Sequence, residues 1–167
     1  DRATDLLSAA IRAGFGEPWM YESLALAMEA CECSREEIDR VLLSTADFSS
    51  NAGDLLRLAY YLARFGSDRQ AVDVCRKVLR LDATSREAYA LAMTVAERSA
   101  DTVAFSWAIP GVLAHEWPAD QREIFARAAR LAKRTIDDLE RAGRSDDAKW
   151  FRTAVDMADR KSTRLNS

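Results

Sequence analysis

The residues able to do chemistry in this chain are few and scattered. His115 is the only histidine and stands in Leu113-Ala114-His115-Glu116-Trp117, without the second imidazole one turn away that a zinc-protease helix requires. His115 and Glu116 are adjacent, so they leave a helix at different angles and form no i,i+4 pair. The imidazole reads as a packing or surface group. Cys31, Cys33 and Cys75 are an odd set, which leaves at least one thiol unpaired within a monomer. Their spacing contains no CxxC pair of the redox or zinc type, and together with His115 they lie in three distant segments. They read as small hydrophobes, and unpaired thiols point towards a reducing compartment such as the cytoplasm. Asp137, Asp138 and Glu140 form an acidic patch flanked by Arg134 and Arg141, which suggests local pairing on a charged face; acid–base or metal chemistry would need convergent groups from another segment. Glycine-rich phosphate cradles, GxSxG elbows and Walker motifs are missing. The expectation is a protein that is not an enzyme and has no catalytic residues, no cofactor and no metal.

What positions these residues is a chain of 167 residues, 49% hydrophobic and 31% charged, with six Gly and three Pro. That suffices for one compact domain or a short repeat array and argues against wholesale disorder. Apolar runs are only a few residues long, so no segment reads as a membrane-crossing helix or a signal peptide. Asp1 in place of an initiator Met suggests a fragment or a processed chain. Residues 1–51 carry four basic and ten acidic groups, residues 52–119 eight of each, and residues 120–167 twelve basic and nine acidic. This gradient could orient a charged partner, but it is too mild for nucleic acid, whose binding rests on neutralising several phosphates at once.

Ala, Leu, Arg and Glu fill segment after segment with helical periodicity, and strand-like alternation is almost absent. Thr4 or Asp5 opens a first helix that Gly14 and Gly16 close. Pro18 starts a second, with Trp19, Leu24, Ala27 and Met28 as its apolar side. Ser34 and Glu37 form a capping box for a third, burying Ile38, Val41 and Leu42. Helices at 54–65 and 68–81 flank Gly66-Ser67 as the best defined hairpin. Another runs from Thr84 or Ser85 to Arg98, and the next opens near Asp101. There, Pro110-Gly111 predicts a kink or a split into two short helices, because proline removes a donor and clashes with the preceding turn. A long helix over 121–142 ends at Gly143, and a last one fades near Arg160. Residues 161–167 read as a disordered or extraneous tail. Trp19, Trp107, Trp117 and Trp150 read as packing anchors.

Residues 52–83 resemble a tetratricopeptide repeat (TPR). Leu55, Leu58, Ala59 and Leu62 supply the first helix, Gly66 the turn, and Ala71, Cys75 and Val78 the second; Cys75 and Ala83 depart from the usual aromatic and proline. One period on, Tyr89, Ala92, Met93 and Ala96 match again, after which Phe105 and Pro110-Gly111 break the pattern. A third match returns through Leu139, Gly143, Ala148 and Val155, with Ile136 where a small residue is usual. The resemblance implies an all-α fold for residues 1–160, a right-handed α–α solenoid of about four hairpins; an irregular helical bundle is the alternative.

In that family the first helices line a groove that receives a peptide. The resemblance turns Leu56, Tyr60, Ala63 and Arg64 towards it, then Glu87, Ala90, Thr94, Glu97 and Arg98, and from the last hairpin Arg130, Lys133, Asp137 and Arg141. Tyr60 offers broad contact and Arg64 can grip a carboxylate bidentately, so the implied partner is a protein or peptide with acidic and apolar side chains. Arg64 and Arg98 can equally pair with nearby carboxylates. Leu56 and Tyr60 replace two polar roles of the chaperone-tail clamp, which disfavours that variety. The alternative function is a structural or self-associating helical domain.

Overall fold

A computed structural model describes residues 2–165, and side chains other than those of Phe48, Asp159 and residues 161–165. Among the described residues there are nine α-helices and no strand. They fall into two compact units, Asp1–Ala83 and Thr84–Ser167.

The first unit contains α1 (Arg2–Arg12), α2 (Pro18–Ala30), α3 (Arg35–Phe48), α4 (Ala52–Arg64) and α5 (Asp68–Leu81). Local chemistry sets these boundaries. Pro18 occupies the first turn of α2, where its missing N–H has no partner to lose. The Ser34 and Glu37 side chains each satisfy the other's backbone N–H at the start of α3. The Asn51 side chain accepts from the Gly53 N–H at 2.7 Å. Gly66, at φ +78°, makes the tight reversal between α4 and α5 in a backbone region that suits glycine. These two helices form the closest-packed pair in the unit. Leu58, Ala59 and Leu62 from α4, and Ala71, Cys75 and Val78 from α5, are at most 1% exposed. Consecutive helices pack on one another from α1 to α5, and α2 also touches α4.

α2 buries Met20, Tyr21, Leu24 and Ala25, whereas Trp19 is 56% exposed. Of the expected stripe, Leu24 is buried and Ala27 and Met28 are half-buried, while Trp19 is not a packing anchor. A Cβ at Gly16 would lie 2.9 Å from the Tyr21 hydroxyl, so the α1–α2 turn packs against Tyr21.

The second unit contains α6 (Arg86–Ser99), α7 (Thr102–Leu113), a 3-10 turn (Ala119–Gln121), α8 (Arg122–Arg141) and α9 (Ser145–Leu165). Ser85 caps α6 through the Ala88 N–H, and Asp101 caps α7 through the N–H groups of Val103 and Ala104 at 2.9 and 3.0 Å. Here α6 packs on α7, α7 on α8, and α8 on α9, with further contacts of α6 with α8 and α7 with α9.

Of the kink or split expected at Pro110, the split does not occur; α7 continues through it to Leu113. Proline removes only the bond that the Ser106 carbonyl would have received, and the ladder resumes when Ala114 N–H donates to the Pro110 carbonyl at 2.9 Å. Gly111 has a packing role instead. A Cβ at that position would lie 2.6 Å from Cε1 of the Tyr89 ring, so a glycine is needed for α7 to approach α6 this closely. α9 also runs past Arg160, where it was expected to fade; of the expected tail, residues 166 and 167 and the side chains of 161–165 lie outside the described residues. Trp150 is 57% exposed and so, like Trp19, is not the buried anchor its size suggested.

Candidate functional site

The positions expected to form a partner-binding groove are carried by α4, α6 and α8, and four of them, Arg64, Ala90, Thr94 and Glu97, are hydrogen-bonded to another helix. In the first unit, α2 and α4 are joined by two cross-helix ion pairs. Arg57 Nε donates to Glu22 Oε1 at 2.9 Å, and Arg64 Nη2 donates to Glu29 Oε2 at 3.2 Å. Both pairs span 35 residues in sequence, and on each helix the two partners are seven apart, so they repeat on one face after two turns. Arg57 also donates to Asp54 at 3.1 Å. The Arg64 guanidinium lies 5.5 Å from the centroid of the Phe65 ring. The reading of Arg64 as a residue paired with a local carboxylate fits this geometry. Tyr60, 47% exposed, sits between Arg57 and Arg64 in the α4 sequence, on the same side of the helix. Leu56 is half-buried, and Ala63 is buried.

In the second unit, the corresponding residues of α6 and α8 form a shared network. Arg127 donates to Glu97 Oε2 at 2.7 Å, to Thr94 Oγ1 at 2.9 Å, and to the Ala90 carbonyl at 3.5 Å. Arg134 is 3.8 Å from Glu97 on one side and 3.8 Å from Asp138 on the other. Asp138 also accepts from Arg141. Thus Thr94 and Arg141 are engaged within the unit, as the sequence suggested for the acidic patch around Asp138. Glu87, half-buried, accepts from Arg86 at 2.8 Å. Arg98 and Arg130 are exposed. Lys133, with Ile136, Asp137, Arg152 and Val155, borders a cavity of about 490 Å³. Arg130, Lys133 and Arg141, spaced i, i+3 and i+11, stand on one side of α8.

Sequence reasoning missed Arg57 and Arg127, and read Arg134 only as a local partner of the acidic patch. Their signal was present as a spacing: Arg57 and Arg64 on α4, and Arg127 and Arg134 on α8, are each seven apart. Only the helix packed against each, α2 for α4 and α6 for α8, reveals what each pair meets.

A second cavity, of about 300 Å³, opens beside this network, between the α6–α7 turn and the second half of α8. Phe105, Leu131 and Leu139, each 6–7% exposed, form its apolar lining. Glu97, Arg134, Asp138 and Arg144 stand around it. No family model, curated protein or solved structure matches the chain.

Of the remaining chemistry-bearing groups, His115 and Cys75 are built into packing. The His115 ring is 6.0 Å from those of both Tyr89 and Trp117, and Tyr89 is 6.1 Å from Trp117. These three rings pack against one another. His115 Nδ1 donates to the Gly111 carbonyl at 2.6 Å, since a carbonyl can only accept, and Trp117 Nε1 donates to the Val112 carbonyl at 2.7 Å. Burial pushes the Tyr89 phenol above its ordinary pKa. Cys75 is fully buried, and desolvation pushes its thiol up to about 12; Cys31 is exposed and Cys33 half-buried. Among the described residues no three His, Cys, Asp or Glu side chains are grouped so as to hold a metal ion, and no helix is long and apolar enough to cross a membrane.

Proposed function

We propose that this chain is a protein-interaction scaffold whose helical hairpins stack in the manner of a tetratricopeptide solenoid and bind a peptide along their first helices. The observation that carries this reading is the exposed Tyr60 ring between the Arg57–Glu22 and Arg64–Glu29 pairs. The ion pairs hold α2 and α4 side by side, and Tyr60 adds a broad, partly apolar surface at low entropy cost to an otherwise polar face. Because Arg64 is already paired, a peptide carboxylate must compete with Glu29 for it, which favours modest affinity and a recognition dominated by the aromatic ring.

A peptide-library titration followed by residue-resolved NMR tests this reading. Saturable shifts at Tyr60, Arg64 and Arg98, weakened by Tyr60→Ala, are expected; a library that moves no first-helix resonance would remove the proposal. A second reading, self-association, is favoured by Leu6, Phe15, Trp19, Trp150 and Met157, which are 56–71% exposed and provide apolar surface for a like molecule. Light scattering at several concentrations separates the two, since self-association raises the apparent mass with concentration in the absence of any peptide.

A further inference from the structure

Building on the scaffold reading, we propose that the cavity of about 300 Å³ in the second unit is an anchor pocket for a partner peptide, taking a bulky apolar side chain whose following residue carries a carboxylate.

The apolar half of the proposal rests on the lining. Phe105, Leu131 and Leu139 face a space at the small end of ligand cavities, suited to one or two side chains rather than to a large cofactor. The ion-pair chain that runs past the cavity supplies the charge preference. Glu97, Arg134 and Asp138 stand at its rim, and Arg127 and Arg141, outside the lining, complete an alternating chain of cations and anions. Three guanidiniums serve two carboxylates, so the chain carries one surplus positive charge. The two carboxylates have closer partners at the ends: Glu97 is held by Arg127 at 2.7 Å, and Asp138 by Arg141. The central Arg134 is left at 3.8 Å from both and is 72% exposed. Its donors are poorly used, because hydrogen bonds at that separation are not made. An incoming carboxylate can therefore take Arg134 bidentately without displacing a strong pair. A cationic ligand gains nothing comparable, since both acids are already neutralised. Arg144, on the same rim, is held by Asp147 at 2.8 Å and adds no net charge.

The probe is acetyl-leucyl-aspartyl-glycinamide, titrated into the full chain and followed by NMR at Thr102, Leu131, Thr135 and Leu139. Saturable shifts at these positions are expected. The asparaginyl counterpart, which removes only the charge, should bind about tenfold more weakly, and the alanyl counterpart should bind more weakly still. Arg134→Gln should weaken the aspartyl peptide to the level of the asparaginyl one and leave the asparaginyl peptide unchanged, a coupling that general damage to the fold would not produce. Equal binding of aspartyl and asparaginyl peptides overturns the role of Arg134. Octanoate binding here more tightly than the peptide overturns the peptide as occupant in favour of a free amphipathic acid. Silence at the pocket overturns the proposal; if Tyr60 and Arg64 then respond to other peptides, the scaffold reading survives without it, and if they too are silent to a peptide library, that reading fails separately.

Discussion

The two units solve the same packing problem with different charge arithmetic. In each, the second of two neighbouring helices presents arginines seven residues apart to the first: Arg57 and Arg64 on α4, Arg127 and Arg134 on α8. In the first unit α2 answers with two acids, Glu22 and Glu29, and every arginine has its own partner. In the second, α6 answers with one acid, Glu97, and with the neutral Thr94 hydroxyl and Ala90 carbonyl. A single missing carboxylate leaves Arg134 weakly held beside an apolar cavity. Matched rungs tie helices together, whereas an unmatched one leaves a guanidinium with unused donors at the surface.

Four perturbations break or sharpen that comparison. The largest effect falls on the first unit's core. Leu58 is 1% exposed, so Leu58→Ala should destabilise the α4–α5 hairpin by about 3 kcal/mol through lost burial and the cavity left behind. Hydrogen exchange should show the loss of protection in α4 and α5; unchanged protection there would show that this hairpin does not depend on the Leu58 contact. Next is Gly111→Ala in the second unit. Its Cβ would meet the buried Tyr89 ring at 2.6 Å, and overpacking of this kind costs about 2 kcal/mol. Urea unfolding should show it, accompanied by altered fluorescence of Trp117, which lies against the same ring.

Smaller effects test the rungs directly. Double-mutant cycles should give about 1 kcal/mol of coupling for Glu22–Arg57, where the Glu22 side chain is 11% exposed, and less than about 0.5 kcal/mol for Glu29–Arg64, where both partners are about half exposed. Coupling of similar size in both would mean that burial does not set the strength of these pairs. The smallest effect at neutral pH comes from Cys75. Its folded-state pKa of about 12 lies above the ordinary 9.0, so the folded state holds the proton more tightly than the unfolded state does. Its contribution to stability is complete below about pH 9 and is lost as the pH rises towards 12. At pH 8, a thiol reagent should modify Cys31 and Cys33 readily and Cys75 only after denaturation; rapid native labelling of Cys75 would show that the α4–α5 core opens.

Much of the helical order was legible because the signals that end helices are local. A hydroxyl and a carboxylate three residues apart at Ser34 and Glu37, and glycines at Gly66 and Gly143 with φ of +78° and +72°, act within one turn of chain. The same local reasoning allowed a split at Pro110-Gly111 that does not occur, because the reason for Gly111 was Tyr89, more than twenty residues away. It also took Trp19 and Trp150 as buried from their size, although burial depends on which face of a helix a neighbour covers. Of the expected binding positions, Tyr60 is exposed, but the engagement of Arg64 with Glu29 and of Thr94 with Arg127 depends on helices packed across 35 and 33 residues.

The amino-acid order by itself determined an all-helical chain, the caps that delimit its helices, and the heptad-spaced arginines on α4 and α8, because hydrogen bonding and side-chain periodicity are set within a few residues. Tertiary packing alone decided which acids those arginines meet, that one of them is left half-satisfied, and that an apolar cavity opens beside it. Electrostatic pairing and enclosed volume depend on distances between segments, and those distances come into existence only when the helices pack.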